Sequence, residues 1–341
     1  MITVDTTTIT GLIGRYKWYG GVLGPDGRIY GIPFASESVL IIDPVAKTAD
    51  TTTITGLAGN SKWAGGVLGP DGLIYGIPVN SKSVLIIDPV AKTADTTTIT
   101  GLAGYAKWHG GVLGPDGLIY GIPGDSESVL IIDPVAKTAD TTTITGLGSR
   151  RDKWAGGVLG PDGLIYGIPS DSASVLIIDP VAKTADTTTI TGLAGDSNWV
   201  GGVLGPDGLI YGIPWVDERV LIIDPVAQTA DTTTITGLVG DMKWLGGVLG
   251  PDGLIYGIPD CSESVLIIDP VAKTADITTI TGLPGGYSYK WRGGVLGPDG
   301  KIYGMPYHSE SVLILDVGRG VSNRSRRRRA AWMDMERPQY I

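Results

Sequence analysis

One cysteine, Cys261, one phenylalanine, Phe34, and two histidines, His109 and His308, stand among 341 residues. A single thiol excludes an intramolecular disulfide framework and any paired-cysteine metal knuckle. No apolar run reaches membrane-spanning length. Met1-Ile2-Thr3-Val4-Asp5 has no basic stretch ahead of an apolar one, so neither a membrane helix nor a secretory leader is expected, and the chain reads as cytoplasmic. Charged residues are only 18%, but hydrophobic residues reach 42%, which is ample for a core and unlike a disordered chain. What is plentiful is Gly, at 53, and Pro, at 22. These are the two poorest helix-interior residues, so their density excludes a helical bundle or coiled coil.

The glycines are periodic. The string Trp-x-Gly-Gly-Val-Leu-Gly-Pro-Asp-Gly begins at Trp18, Trp63, Trp108, Trp154, Trp199, Trp244 and Trp291, at spacings of 45, 45, 46, 45, 45 and 47 residues. Seven copies fill residues 2 to about 317, making one repeat domain. In the second copy, Trp63–Leu68 reads as a strand and Gly69-Pro70-Asp71-Gly72 as a tight turn. A second strand runs over Leu73–Ile77 and ends at Pro78. The apolar run Ser83–Ile87 is a third, fit for burial on both faces. The β-branched run Thr96–Thr100 reads as a fourth, outer strand.

Four strands in 45 residues, seven times over, predict an all-β chain: a seven-bladed β-propeller of four-stranded antiparallel blades over residues 1–317. The Gly-Gly pairs suit inner strands crowded on one axis. Residues 2–12 match only a fourth strand, and the copy from Trp291 to Val317 supplies only the first three, so the N-terminal strand is expected to complete the last blade. The blade motif, Gly65 to Gly76 followed by Val84-Leu85-Ile86-Ile87-Asp88-Pro89, resembles the blades of NHL, YVTN and SMP-30-type β-propellers, which also place a Pro-Asp-Gly turn before an Ile-Tyr or Leu-Tyr strand. That resemblance implies the fold over nearly all of residues 2–317. It leaves function open, because such families include lactonases, lyases and interaction scaffolds. The Tyr-Val-Thr-Asn string is absent, and no acidic and amide set maps onto the SMP-30 metal site.

The copies can be compared with one another. The second and third differ at 6 of 45 positions, all in two windows: around the tryptophan, and after Ile-Pro. In a four-stranded meander both windows emerge on one face of the ring. The loop Val90-Ala91-Lys92-Thr93 on the other face recurs in six copies and is broken only at Gln228, which contrasts with free drift of all surface loops. The variable windows hold Tyr16, Tyr19, Phe34, Tyr105, His109, Arg150, Arg151, Trp215, Asp260, Arg292, Tyr307 and His308, together with Cys261, Tyr287 and Tyr289. Aromatic anchors mixed with charged groups suit recognition, so these twelve are the candidate ligand-binding residues, and Trp215 reads as an exposed anchor at a loop tip. The repeated tryptophans read as wedges between blades. Two lone histidines and an isolated cysteine give no nucleophile–base set, and no Asp-x-Asp-Gly cation loop occurs, so no catalytic residue, metal or cofactor is expected.

Charge divides unevenly. Residues 318–341 carry a balance of +5 and the remainder −14. The acidic body argues against nucleic acid on the ring. The tail with Arg324-Ser325-Arg326-Arg327-Arg328-Arg329 reads as a disordered terminus, with nuclear import as the other reading. The expected function is therefore a monomeric, non-enzymatic scaffold, away from membranes, that binds a protein, peptide or glycan on the variable face. The alternative is a lactonase- or lyase-type enzyme working at the mouth of the central channel, which calls for polar residues of fixed kind where these change from blade to blade.

Overall fold

The computed structural model describes residues 2–193, 195, 197–286 and 288–318; Tyr287 and the Arg-rich tail lie outside the described residues. Among these residues, strands β1 to β28 form seven four-stranded sheets with no helix. The second blade is β6 (Trp63–Leu68), β7 (Ile74–Pro78), β8 (Leu85–Asp88) and β9 (Thr93–Asp95), paired antiparallel in chain order. The last blade is β26 (Trp291–Leu296), β27 (Ile302–Pro306) and β28 (Leu313–Asp316), closed by β1 (Thr3–Asp5) with Thr3 opposite Asp316 and Asp5 opposite Ile314. The seven-bladed propeller with a shared last blade thus forms as expected.

The outer strand sits earlier in each repeat than expected. It is Thr93–Asp95, whereas Thr96–Ile99 is a bend. Asp95 accepts hydrogen bonds from the backbone N–H and the hydroxyl of both Thr97 and Thr98, and this four-fold capping turns the chain away from the sheet despite its β-branched residues.

The inner strands converge because of their glycines. Gly65 adopts φ +72°, and a Cβ placed there would lie 3.0 Å from Gly110 Cα of the next blade. The same approach, 3.0–3.2 Å, recurs around the whole ring from Gly20 to Gly293, so no side chain fits at the axis. At the second glycine, Gly66, a Cβ would meet Ile32 Cδ1 at 2.7 Å. The pairing of β6 with β7 is irregular between Trp63 and Gly66, which gives one bulge per blade.

Between blades lie seven apolar clusters. Trp63, 3% exposed, packs with Tyr30, Ile32 and Ile41 of the first blade and Ile74, Leu85 and Ile87 of its own, and its indole N–H donates to Ser83 O at 2.8 Å. On the variable face a buried lysine precedes each tryptophan except Trp199. Lys62 Nζ donates to Phe34 O (3.1 Å) and Ser36 O (3.0 Å) of the preceding blade and to Gly59 O (2.7 Å) of its own. Burial pulls its pKa down to about 8. On the opposite face Lys92 Nζ reaches Asp26 and the Tyr30 hydroxyl of the first blade. The constancy of the Val-Ala-Lys-Thr loop therefore has a structural cause, an ion pair joining neighbouring blades, and this loop is not a free surface against which drift can be measured.

Two predictions follow from the blade junctions. Deleting residues 1–12 strips β28 of its partner and removes Ile9 and Leu12 from the seam core; a lower melting temperature with aggregation is expected in light-scattering-monitored melts, and an unchanged monomer would refute the shared blade. Asn198 stands where six blades have lysine and, among the described residues, leaves its buried Nδ2 without a partner. Asn198→Lys supplies a donor toward the Ser170 and Ser172 carbonyls and is expected to raise stability by about 1 kcal/mol in thermal melts.

Candidate functional site

The bulge in each inner strand turns the residue after the tryptophan toward the channel mouth, one position before the glycine constriction. Tyr19, His109, Ala155, Val200, Leu245 and Arg292, from six blades, line one cavity of about 230 Å3. Phe34, Ser170 and Trp215, each directly after Ile-Pro, complete its walls with Trp154, Asp152 and Ser197. The two windows thus converge on a single pocket open at the channel mouth.

Its polar groups are unlike one another. The His109 ring lies deep in the mouth, and its Nε2 is buried with no hydrogen-bond partner. A Cβ on Gly124 would meet the His109 Cδ2 at 2.7 Å; the one glycine among the seven residues after Ile-Pro or Met-Pro makes room for the imidazole. Burial, aided by Arg292 and opposed by Asp125, lowers the His109 pKa to about 4, so the ring is uncharged at neutral pH. Arg292 reaches Asp260 with Nε at 3.4 Å and Nη2 at 3.3 Å. Asp260 is 0% exposed and also accepts the Trp215 indole N–H at 3.2 Å. Burial pushes the Asp260 carboxyl up, against the pull of Arg292 and Trp215. The guanidinium lies 4.0 Å from the Tyr307 ring centroid and 5.4 Å from those of Tyr19 and Tyr289. Arg292 is therefore fixed on one edge by a carboxylate and on its face by aromatic rings.

Asp152 stands nearly across the ring. It sits two residues before Trp154, at φ +47°, and its N–H donates to Asp125 Oδ1 at 2.8 Å. Asn80 and Asp171 hold the matching N–H groups of Ala106 and Ser197 in the same way. Part of the variation after Ile-Pro is thus capping of the next blade.

Of the twelve expected residues, Tyr19, Phe34, His109, Trp215 and Arg292 line this pocket, and Asp260 and Tyr307 support it from beneath. Trp215 is half-buried against Asp260, not an exposed loop tip. Tyr16 and His308 lie elsewhere, in a groove at the seam between the last and first blades, with ring centroids 4.4 Å apart at 90°. Tyr105 is 74% exposed beside an outer notch, and Arg150 and Arg151 are exposed on the rim. Asp152 and Ser197 were missed; the signal for them is a fixed place two residues before the tryptophan. Among the described residues no group of three His, Cys, Asp or Glu side chains is placed to hold a metal ion.

No protein-family model matches the chain, and no curated protein matches it. Solved structures do. A streptogramin B lyase is 13% identical with a TM-score of 0.72, over 93% of this chain and 98% of the other. Virginiamycin B lyase from Staphylococcus aureus is 10% identical with a TM-score of 0.75, over 93% and 100%; a catalytically inactive form of it, with a histidine changed to alanine, is similar too and was solved with quinupristin. Hydrazine synthase from Kuenenia stuttgartiensis is 18% identical with a TM-score of 0.68, over 89% and 97%. The chain is a seven-bladed propeller with structural neighbours of the virginiamycin B lyase type.

Against the expectation of a non-enzymatic scaffold stands the finding that the lyases named above carry this fold. The physical reason lies in the symmetry. A site on a sevenfold axis receives one residue from each blade, so unlike catalytic groups can stand there only if that position differs between blades. Blade-to-blade change at the channel mouth is what an asymmetric site requires.

The buried imidazole makes a measurable demand on stability. Between pH 6.5 and about 4 the unfolded chain holds a proton on His109 that the folded chain does not. Stability should therefore fall as pH drops through that window, by about 3 kcal/mol from this group. Subtracting the denaturation profile of His109→Gln from that of the unaltered chain isolates the effect; parallel profiles would show that His109 is not buried neutral.

Proposed function

We propose that the chain is a lyase-type enzyme whose reaction takes place in the axial pocket. The observation that carries this reading is the uncharged His109, whose buried Nε2 is unpartnered in the same pocket as a pinned guanidinium. An elimination needs a base to take a proton from carbon, a positive group beside the oxygen on which charge accumulates, and a leaving group that departs with its electron pair. A neutral imidazole can accept the proton, and the resulting imidazolium is favoured by the Asp125 charge, which acts to raise the His109 pKa. Arg292, already oriented by Asp260 and Tyr307, is suited to receive a substrate carbonyl oxygen that becomes enolate-like. Tyr19, Phe34 and Trp215 supply apolar wall for the rest of the substrate. We also propose that the blades are akin to those of NHL, YVTN or SMP-30-type propellers, on the Gly-Pro-Asp-Gly turn before Ile-Tyr.

The test incubates purified chain with quinupristin and follows the products by mass spectrometry. An elimination leaves the summed mass unchanged, whereas hydrolysis adds the mass of water. Conversion without mass gain, falling at least a hundredfold in His109→Gln, is expected. Products heavier by one water support the lactonase alternative, and conversion equal in the variant removes His109 from the reaction.

A further inference from the structure

The axial pocket's charges do not balance. Its one guanidinium, Arg292, is already matched by Asp260, which is fully buried behind it. The remaining charge on the lining is Asp152, and among the described residues no side chain is bonded to its carboxylate. Arg151 and Lys153 stand close enough to act on it, but Lys153 Nζ is committed to the Gly124 and Arg150 carbonyls. Asp125 and Asp171 lie beside Asp152, each with one oxygen given to a backbone N–H of the following blade. Asp152 is an exposed residue at the rim, where partial burial and then the repulsion of Asp125 and Asp171 hold its carboxyl above its ordinary pKa. On the same side of the mouth the His109 Nε2 has no partner although it is closed to solvent. The wall thus offers a ligand a solvent-facing carboxylate at the rim and, deeper in, an unmatched nitrogen.

The rest of the lining agrees. Tyr19, Phe34, Trp154 and Trp215 contribute aromatic surface to a space of about 230 Å3. Aromatic faces around a carboxylate favour an organic cation over an anion. The acidic body, at −14 outside the tail, draws cations toward the ring from a distance.

We infer that the pocket takes a ligand bearing an ammonium group on an aromatic or apolar body, with the Asp152 carboxylate as its counter-ion. Asp152 comes from the fourth blade and Arg292 from the seventh, nearly across the axis. An ammonium on the first and a carbonyl oxygen on the second hold the molecule across the mouth, past His109. The inference rests on the reading of this pocket as the place of reaction and names the substrate class, an amine-bearing carbonyl compound.

Three probes of similar size decide it by isothermal titration of the full chain: 2-phenylethylammonium, 2-phenylethanol and 3-phenylpropionate. The ammonium should bind about tenfold tighter than the alcohol, and the carboxylate more weakly than both. Asp152→Asn is expected to fold normally, since Asn accepts the positive φ at this position. It should bring ammonium and alcohol within about twofold of each other. Trp215→Ala should weaken all three probes alike, which locates them in this pocket. Equal binding of ammonium and alcohol, preference for the carboxylate, no binding of any probe, or a preference that survives Asp152→Asn each overturns the inference. The readout needs no turnover. A chain inert toward quinupristin that still prefers the ammonium keeps its ligand class and loses the proposed reaction; an active chain without the preference loses only the ligand class.

Discussion

Seven backbones meet at one axis at a separation no side chain can share. The glycine that permits this, Gly65 and its six equivalents, takes a left-handed conformation that other residues adopt at a cost, and its Cβ would strike the neighbouring strand. Much else depends on that approach. It sets the curvature that lets seven sheets close, and it places the tryptophan where it fills the wedge between blades. It also leaves the residue between tryptophan and glycine nowhere to go but the channel mouth. The pocket is a by-product of the closure, and its chemistry is chosen at positions that closure leaves unconstrained.

The two faces hold the ring together by different means. On one, each buried lysine donates to carbonyls of the preceding blade. On the other, lysines such as Lys92 pair with the turn aspartate and the second-strand tyrosine of the preceding blade. Both links run from a blade to its predecessor, and both are long-range in space but periodic in sequence, so a fixed set of residues repeated seven times suffices to specify them. Gln228 and Asn198 both fall in the fifth blade and interrupt both kinds of link there.

What repeats was legible. The blade number, the inner strand from Trp63 to Leu68, the indole wedge and the shared last blade follow from period and phase alone. The outer strand was misplaced because β-branching in Thr96–Thr100 outweighed the capping by Asp95, a local hydrogen-bonding preference that strand propensity does not express. Comparing copies located the positions of Tyr19, His109 and Arg292 but not their use. Trp215, Asp260 and Arg292 belong to three successive blades and become one network only when the ring brings them together. Asp152 went unread because it looked like part of a loop insertion, not a wall residue.

The closing strand has a consequence for how such a chain can change its size. Thr3-Val4-Asp5 occupies the place that Thr-Ala-Asp fills in the other six blades. The two ends of the chain are therefore complementary whatever number of whole repeats lies between them, and an in-frame loss of 45 residues would still leave an N-terminal strand matched to the last sheet. The scaffold is modular in whole blades, but the pocket is not. Excising the sixth repeat would carry away Leu245 and Asp260, leaving Arg292 as a bare cation beside Trp215. Near-identical repeats make such excisions easy to produce, and the asymmetric contents of the channel mouth would make each one a loss of chemistry even where the ring still closed.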